Sequence, residues 1–309
     1  MSRRKKKSSS SPRGSVADSN VLRVKPPTAR LGELFKVIHE VARAADLAGM
    51  ETEVQSDDDR FDIAVFARGI NIVKATRSLC ADAHWEMASS LVRQLFELVL
   101  NVEWITKQSD PTAARFLFSK YGLLQSARHQ LETIAYAEET SRPVDAERRQ
   151  FLRDLLDGVA FSEFKGKPRA DGSIRWVDSW NRKSVRELAE ASDQRLRVHQ
   201  YSLLYRRWSE ETHATPGALM EGMFRQVTPG WVDRVVADDD KETAEVLSMA
   251  VMLFLDLWRL LPGAPEDDWE AWAGWIGRLR EWTIDKYFDE DPESPTFRSE
   301  AKTNAAETS

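Results

Sequence analysis

Apolar residues recur every three to four positions along most of this 309-residue chain, which is the period of a helix that packs by one face. No run alternates strictly between apolar and polar residues in the manner of a strand. The pattern therefore predicts an all-α fold, a bundle of about ten helices with disordered termini. The first helix is expected to end at Gly49, and its packing face consists of Leu31, Leu34, Phe35, Ile38, Val41, Ala42 and Ala45.

The acidic segment Ser56–Asp59 suits the start of a second helix, which runs towards Cys80, because carboxylates favour the positive end of the helix dipole. A third helix, from about His84 to Thr106, is apolar around most of its circumference and is therefore predicted to be central. Its one polar stripe consists of Glu86, Ser90, Arg93, Gln94, Glu97 and Asn101.

Asp110 followed by Pro111 is typical of a helix start and predicts a fourth helix. Pro143 separates it from a fifth helix, which is expected from about Asp145 to Phe161. The packing face of the fourth helix is expected to consist of Phe116, Leu117, Tyr121, Leu124, Leu131 and Ile134.

The loop at residues 165–181 carries Trp176 and Trp180, which we expect to pin it to the helices, since exposed loops seldom hold tryptophan. The sequence SVRE, Ser184–Glu187, has the spacing of a capping box and predicts a short helix. The next helix holds the segment YRRWSEETHATP and is expected to end near His213, because a Thr-Pro pair two residues later starts another helix.

The last two helices are predicted at about Lys241–Leu261 and Asp267–Tyr287. The apolar run Val246–Leu255 in the first of them is shorter than the roughly 20 residues that cross a membrane, so we expect a buried helix and no membrane partner. The final helix carries an apolar stripe that is more typical of a packed core than of a platform for stacked bases. This stripe consists of Trp272, Trp275, Ile276, Leu279 and Trp282.

Charge is distributed unevenly along the chain. Residues 1–30 hold nine basic residues and one acidic residue, a net charge of +8, whereas the whole chain carries −6 and the remainder therefore −14. We expect a disordered basic arm at residues 1–29, a helical domain at 30–288 and a disordered tail at 289–309. The arm is predicted either to bind nucleic acid or to be a solvated tail, and the acidic body argues against broad phosphate binding elsewhere. The basic cluster of the arm consists of Arg3, Arg4, Lys5, Lys6 and Lys7.

Cysteine usage and missing motifs narrow the class of protein. The single cysteine, Cys80, cannot form an internal disulfide, and the chain opens with no basic-then-apolar signal, so we expect a cytoplasmic location. The sequence lacks a glycine-rich phosphate loop, an H-E-x-x-H helix and paired cysteines, and no two histidines are four residues apart. We therefore expect neither a metal nor a cofactor.

Two groups of polar residues are candidates for chemistry. Arg93 and Glu97 stand four apart with the cation first, the weaker order for helix stabilisation, so they are either a functional pair or the solvated side of an amphipathic helix. Tyr205, Ser209 and His213 recur every fourth residue at the border of a buried face. There His213 can act as a general acid or base, or it can simply bind the last carbonyls of its helix.

These five residues also carry a resemblance to a known family. RQLFE at Arg93–Glu97, followed about a hundred residues later by Tyr205, Ser209 and His213, resembles a bacterial family catalogued only as a domain of unknown function. The resemblance covers about residues 83–220. It implies an all-helical fold in which these residues form the polar centre.

A second resemblance concerns Arg207 and His213, which have five residues between them. That spacing is similar to the Arg–His motif of higher-eukaryote-and-prokaryote nucleotide-binding (HEPN) domains, helical bundles that often act as ribonucleases. The resemblance implies that Arg207 contacts phosphate and that His213 is the acid or base. On an ideal helix the two residues are about 120° apart, so they converge only if the helix ends before His213.

Two functional hypotheses follow from these patterns. The first is an interaction or regulatory module in a stress or defence context, with structural polar pairs and with homo-oligomers allowed. The alternative is a metal-independent ribonuclease or nucleotide-binding protein with an Arg/His polar centre between two helices. The distances among Arg93, Glu97, Ser209 and His213 are the observation that separates them.

Overall fold

The computed structural model of the chain describes residues 26–50, 54–168, 170, 172–205, 208, 231–262 and 269–282. This part of the chain contains ten α-helices and no strand, which confirms the all-α prediction. The helices are α1 (Pro27–Arg30), α2 (Gly32–Met50), α3 (Asp57–Ala81), α4 (Trp85–Thr106), α5 (Pro111–Glu139), α6 (Ala146–Asp157), α7 (Val185–Glu190), α8 (Leu196–Gln200), α9 (Trp231–Leu260) and α10 (Trp269–Arg280). A 3₁₀ turn at Ser162–Phe164 follows α6, and a π-helical turn at Tyr201–Tyr205 continues α8. Among these helices, none combines the length and the apolar character that crossing a bilayer requires.

Helices α3, α4 and α9 form the centre of the molecule, with α2 and α10 packed beside them. Helices α3 and α9 approach closely at Gly69, where the Cβ atom of an alanine would lie 2.9 Å from Leu257 Cδ2. Phe254, Trp258 and Trp272 extend this contact as a row of adjacent aromatic rings. The tryptophan stripe of the last helix therefore belongs to the core, as predicted.

A second, smaller core lies beneath the helical hairpin that α5 and α6 form. Tyr121 and Leu124 of α5 pack with Leu152 of α6, and with Phe164 and Trp180 from the segment that follows. The hairpin and the tryptophan-bearing loop therefore share one apolar cluster, which fixes the loop against the bundle.

The predicted helix starts are confirmed by their side-chain caps. Ser56 and Asp59 form a capping box at α3, and Ser184 and Glu187 form another at α7. Asp110 accepts a backbone hydrogen bond at the start of α5. These side chains satisfy N-terminal amides that have no partner inside the helix.

Three details of the predicted helices are wrong. Phe116, expected on the packing face of α5, is 65% exposed, because five residues of helix turn it about 140° away from Tyr121. The fifth helix ends four residues early, at Asp157, where Gly158 adopts an extended conformation. Helix α9 begins at Trp231, ten residues before the predicted start, directly after a Pro-Gly pair that punctuates the chain.

Ion pairs join the first helices of the bundle to the last ones. Arg30 of α1 donates to Asp240 of α9 at 2.7 Å, across 210 sequence positions. Arg278 of α10 donates to Glu40 of α2 at 2.6 Å and to Glu33 at 2.8 Å. Its guanidinium holds the pKa of both carboxyl groups below their usual values. These ion pairs therefore connect α1 and α2 to the last third of the chain.

Candidate anion-binding site

The predicted pair on the polar stripe of α4 is present. Arg93 Nε lies 3.7 Å from Glu97 Oε1, and the two side chains are 21% and 36% exposed. One turn further along, Asn101 donates to the Glu97 carbonyl at 2.8 Å and accepts the indole N–H of Trp180 at 2.6 Å. The stripe therefore leads from the Arg93–Glu97 pair directly to the tryptophan-bearing loop.

Of the other predicted site residues, only Tyr205 is among the residues that the structure describes. Tyr205 is the last residue of the π-helical turn. Such turns are rare in proteins as a whole, but many of those that occur lie at functional sites. Arg207, Ser209 and His213 lie outside the described residues, as does the basic cluster of the arm, Arg3, Arg4, Lys5, Lys6 and Lys7. The structure brings Arg93 and Glu97 together, and their predicted approach to Ser209 and His213 stays a prediction.

A cleft of about 760 Å³ lies between the tryptophan-bearing loop and the N-terminal end of α7, and it was not predicted. Tyr201, at the start of the π-helical turn, is also part of its wall. Its lining includes two carboxylates, Asp178 and Glu187, and five cationic side chains. The cations are Lys167, Arg175, Arg182, Lys183 and Arg186.

The cations of this cleft come from one short segment of an otherwise acidic body. Residues 165–186 contain seven basic and two acidic residues, whereas the chain beyond its first 30 residues carries a net charge of −14. The negative net charge of residues 31–309 therefore conceals a local excess of positive charge in this segment. A cleft whose lining has an excess of one sign of charge attracts ions of the opposite sign.

The cationic groups differ in how far protein atoms already engage them. Arg186 pairs with Glu190 at 2.8 Å, and Lys183 Nζ lies 4.7 Å from the ring centroid of Trp104. Lys167 and Arg175 are exposed and make no ion pair with another described residue. These two are the cations with most capacity for an external anion.

Hydrogen bonds hold the wall of the cleft in place. The hydroxyl of Tyr121 donates to the Val177 carbonyl at 3.0 Å, and burial raises the pKa of this phenol, so it stays protonated at neutral pH. The amide of Gly166 donates to the Arg175 carbonyl at 2.6 Å. Lys165 Nζ donates to two carbonyls at the end of α6, at 2.8 and 2.7 Å. These hydrogen bonds and the smaller core together fix the geometry of the tryptophan-bearing loop.

One of the two carboxylates is already committed to the fold. Both the amide and the hydroxyl of Ser184 donate to Glu187 at 2.7 Å, and these hydrogen bonds hold the pKa of Glu187 below its usual value. The negative charge of Glu187 thus serves the cap of α7. The remaining carboxylate of the cleft, Asp178, leaves the positive charge in clear excess.

The positive surface continues round the loop. Arg175, Trp176 and Asp178 also border a neighbouring cavity of about 500 Å³, whose opposite wall includes Gln125 and Arg128 of α5. Cationic side chains therefore occur on both sides of Trp176. This arrangement suits an extended anion better than a single compact one.

A buried charged network also lies beside the cleft, on the helix that leads to Tyr201. Arg197 of α8 is 2% exposed and binds Glu103 of α4 and Asp256 of α9. The sequence analysis did not predict this network. Glu103 nevertheless lies four residues after Val99, on the buried stripe of α4 that Val92 and Val99 define. An acid on such a stripe is the signal that could have found the network.

Comparison with known proteins places the site in a family. Residues 63–227 match DUF5677, which is described as a family of unknown function. The chain belongs to this family. The predicted resemblance is thereby confirmed, over a region that begins earlier than expected. No curated protein and no solved structure matches the chain.

The DUF5677 region contains most of the features described above. The Arg93–Glu97 pair, the whole lining of the cleft and Arg197 lie within residues 63–227, whereas Asp256 lies beyond them. Helices α1, α2, α9 and α10 fall outside the matched region, and α9 packs against α3 and α4 within it. The similarity to HEPN domains stays a prediction.

Proposed function

We propose that this DUF5677 protein is an interaction module whose basic cleft binds the phosphates of a single-stranded nucleic acid. The observation that carries the proposal is the excess of five cations over two carboxylates in the lining of one cleft, on a body that is otherwise acidic. Lysine and arginine side chains neutralise the phosphate groups of nucleic acids and so supply most of their non-specific affinity. The basic arm at residues 1–29 would add a second, weaker electrostatic contact.

The aromatic side chains of the cleft favour a single strand over a duplex. Trp176 and Tyr201 line the same cleft as the cations, and Trp176 borders the neighbouring cavity as well. Unpaired bases can stack on aromatic rings while their phosphates contact lysine and arginine, which is how many single-strand binders work. In a duplex the base faces are already stacked on one another and are not available to a side chain.

The binding test compares charge reversal inside the cleft with charge reversal elsewhere. A fluorescein-labelled single-stranded oligouridylate is titrated with protein at several salt concentrations, and fluorescence anisotropy gives the dissociation constant. The double variant Lys167→Glu/Arg175→Glu should bind at least about tenfold more weakly. Loss of two phosphate contacts should also lower the salt slope by roughly 1.4.

The single variant Arg175→Glu should also bind more weakly than the unaltered protein. Its charge-matched control is Arg43→Glu, because Arg43 is an exposed arginine of α2 outside the cleft. It should leave the dissociation constant nearly unchanged. Equal weakening by Arg43→Glu would mean that only net charge matters, and absence of binding by the unaltered protein would refute the proposal.

The ribonuclease hypothesis makes a different prediction for the same protein. Incubation of the labelled strand with excess chelator should leave it intact if the protein is a binding module. If the strand is cleaved, and His213→Ala or Arg93→Ala abolishes cleavage without lowering the melting temperature, the nuclease hypothesis is correct instead. We also propose a cytoplasmic location, which the single reduced thiol supports.

A further inference from the structure

The neighbouring cavity of about 500 Å³ contains side chains of both charges. Its lining includes Arg128 of α5 and Asp178 of the tryptophan-bearing loop. Burial raises the pKa of Tyr121 in the same lining, and the charges of Arg128 and Asp178 act on that pKa in opposite directions. Both charged groups therefore lie near one phenol, where a small ligand can reach the two of them together.

These opposite charges share the cavity without pairing. Arg128 is half-buried and Asp178 is exposed, and within the part of the chain that the structure describes neither makes an ion pair. A guanidinium, which only donates hydrogen bonds, and a carboxylate, which only accepts them, are thus both available to a ligand. The amide of Gln125 in the same lining can do either. The cavity therefore suits a ligand with distinct donor and acceptor edges.

Trp176 connects this cavity to the basic cleft, because it belongs to the lining of both. A strand whose phosphates occupy the cleft can place one of its bases beside this indole, in the neighbouring cavity. Unpaired bases in RNA are recognised in this way, by stacking on an aromatic ring and by hydrogen bonds to their polar edges. The ligand of the cavity is therefore expected to be a base.

Guanine is the base whose edges match the two charged groups. Its N1 and N2 atoms carry adjacent N–H donors, which one carboxylate can accept with its two oxygens. Its O6 and N7 atoms are adjacent acceptors, which one guanidinium can bind with two hydrogen bonds. Adenine, cytosine and uracil do not combine two adjacent donor groups with two adjacent acceptors, so none of them satisfies a carboxylate and a guanidinium in the same way.

We propose that the neighbouring cavity binds a guanine base of the strand whose phosphates occupy the cleft, which rests on the proposed function. Asp178 accepts hydrogen bonds from N1 and N2 of the guanine, and Arg128 donates to O6 and N7. Trp176 stacks on the face of the base. Asp178 opposes the binding of phosphate by its charge, and selection of the base gives this carboxylate a role in the site.

The first test measures base preference by fluorescence anisotropy. The probes are labelled oligouridylates whose central base is uracil, adenine, cytosine, guanine or hypoxanthine. The unaltered protein should bind the guanine strand at least about fivefold more tightly than the adenine, cytosine and uracil strands. It should also prefer guanine to hypoxanthine, which lacks only the amino group on C2 and therefore isolates one of the two contacts with Asp178.

The second test separates the roles of the two charged residues. Asp178→Asn should bind the guanine and hypoxanthine strands nearly equally, because an amide cannot accept from both N–H groups. Arg128→Met should keep the difference between these strands and weaken both relative to the uracil strand, because both bases carry O6 and N7. Asp82→Asn is the matched control, since Asp82 is an exposed aspartate at the end of α3 that lines neither cavity. It should keep the preference for guanine.

These titrations distinguish guanine recognition from phosphate binding. If all strands bind equally and Lys167→Glu/Arg175→Glu still weakens them, the cleft binds phosphates and the cavity does not recognise guanine. A preference for guanine that persists in Asp178→Asn, with unchanged helical circular dichroism, also overturns the assignment. Absence of binding to every strand refutes the proposed function and guanine recognition together.

Discussion

Arg197 binds Glu103, 94 positions away in the sequence, through two nitrogen atoms at once. Its Nε and Nη2 atoms donate to the same carboxylate oxygen at 2.9 and 2.6 Å, and Ser192 donates to the other oxygen at 2.7 Å. Nη2 also donates to Asp256 at 2.9 Å, and Nη1 to Gln200 at 2.9 Å. One guanidinium thus joins α4, α8 and α9 immediately before the π-helical turn.

Removing one partner of this network should destabilise the protein strongly. Arg197→Met leaves Glu103 buried without its cation, which typically costs about 3–5 kcal/mol of unfolding free energy. The double variant Arg197→Met/Glu103→Leu removes both charges and should lose much less. Urea denaturation followed by circular dichroism measures both values. A loss of under about 1 kcal/mol for Arg197→Met would be the behaviour of a surface pair and would contradict the buried network.

The close contact between α3 and α9 should make Gly69 intolerant of a methyl group. In Gly69→Ala the new Cβ lies 2.9 Å from Leu257 Cδ2 and 3.1 Å from two atoms of Phe254, so overpacking should cost about 1–3 kcal/mol. Gly122→Ala is the matched control, because Gly122 is also helical and has no atom within 4 Å of a new Cβ. That variant should gain about 0.5–1 kcal/mol. Thermal melts of the two proteins should therefore shift in opposite directions.

The thiol of Cys80 should report on global unfolding. It is completely buried, and burial raises its pKa from 9.0 to about 12, so the native protein should react negligibly with a thiol reagent at pH 8. Labelling should rise in step with denaturant-induced loss of helicity. The raised pKa also means that stability falls above about pH 9, where the unfolded thiol ionises and the native one does not. Rapid labelling of the native protein would contradict this burial.

Two neighbouring carboxyl groups of α3 should affect the pH dependence of stability with opposite signs. Burial raises the pKa of Asp62 against the attraction of Arg115, so the native state holds this proton longer than the unfolded state. The stability associated with Asp62 is therefore greatest at acidic pH and falls as pH rises from about 4. Asp62→Asn should remove that fall.

Asp59, three residues earlier, provides the control for Asp62. Its hydrogen bonds with Ser56 and the Gln55 amide lower its pKa, so its contribution is present above about pH 4 and is lost on acidification. Urea titrations across this range give the unfolding free energy of each asparagine variant relative to that of the unaltered protein. This difference should change with pH in opposite directions for the two variants. Equal slopes would show that the environments of the two carboxyl groups do not differ.

Much of the fold follows from local rules that a single sequence displays. The starts of α3, α5 and α7 depend on a capping side chain and the residues next to it, so Ser56, Asp110 and Ser184 were sufficient to locate them. The central position of α4 followed from its wide apolar surface. The ion pair of Arg93 with Glu97 was also predictable, because four residues along a helix bring two side chains together.

The rest depends on contacts between distant segments, which periodicity does not encode. Glu103 is acceptable inside the bundle only because Arg197 arrives from another helix. The loop that carries most of the cations of the cleft is joined to α4 by the hydrogen bond from Trp180 to Asn101, 79 positions earlier. Phe116 was assigned to the interior because it is large and apolar, but it lies on the wall of a surface groove and is 65% exposed.

The ion pairs of Arg30 with Asp240 and of Arg278 with Glu33 can form only late in the synthesis of the chain, because their partners are far apart in the sequence. The ribosome adds about 5–20 residues per second, so α1 and α2 wait at least ten seconds or so before α9 and α10 emerge. Among the described helices that precede α9, α3 packs most extensively on the apolar face of α1 and α2, which includes Leu34 and Ile38. The packing of the first two helices is therefore completed only after the last third of the chain has been synthesised.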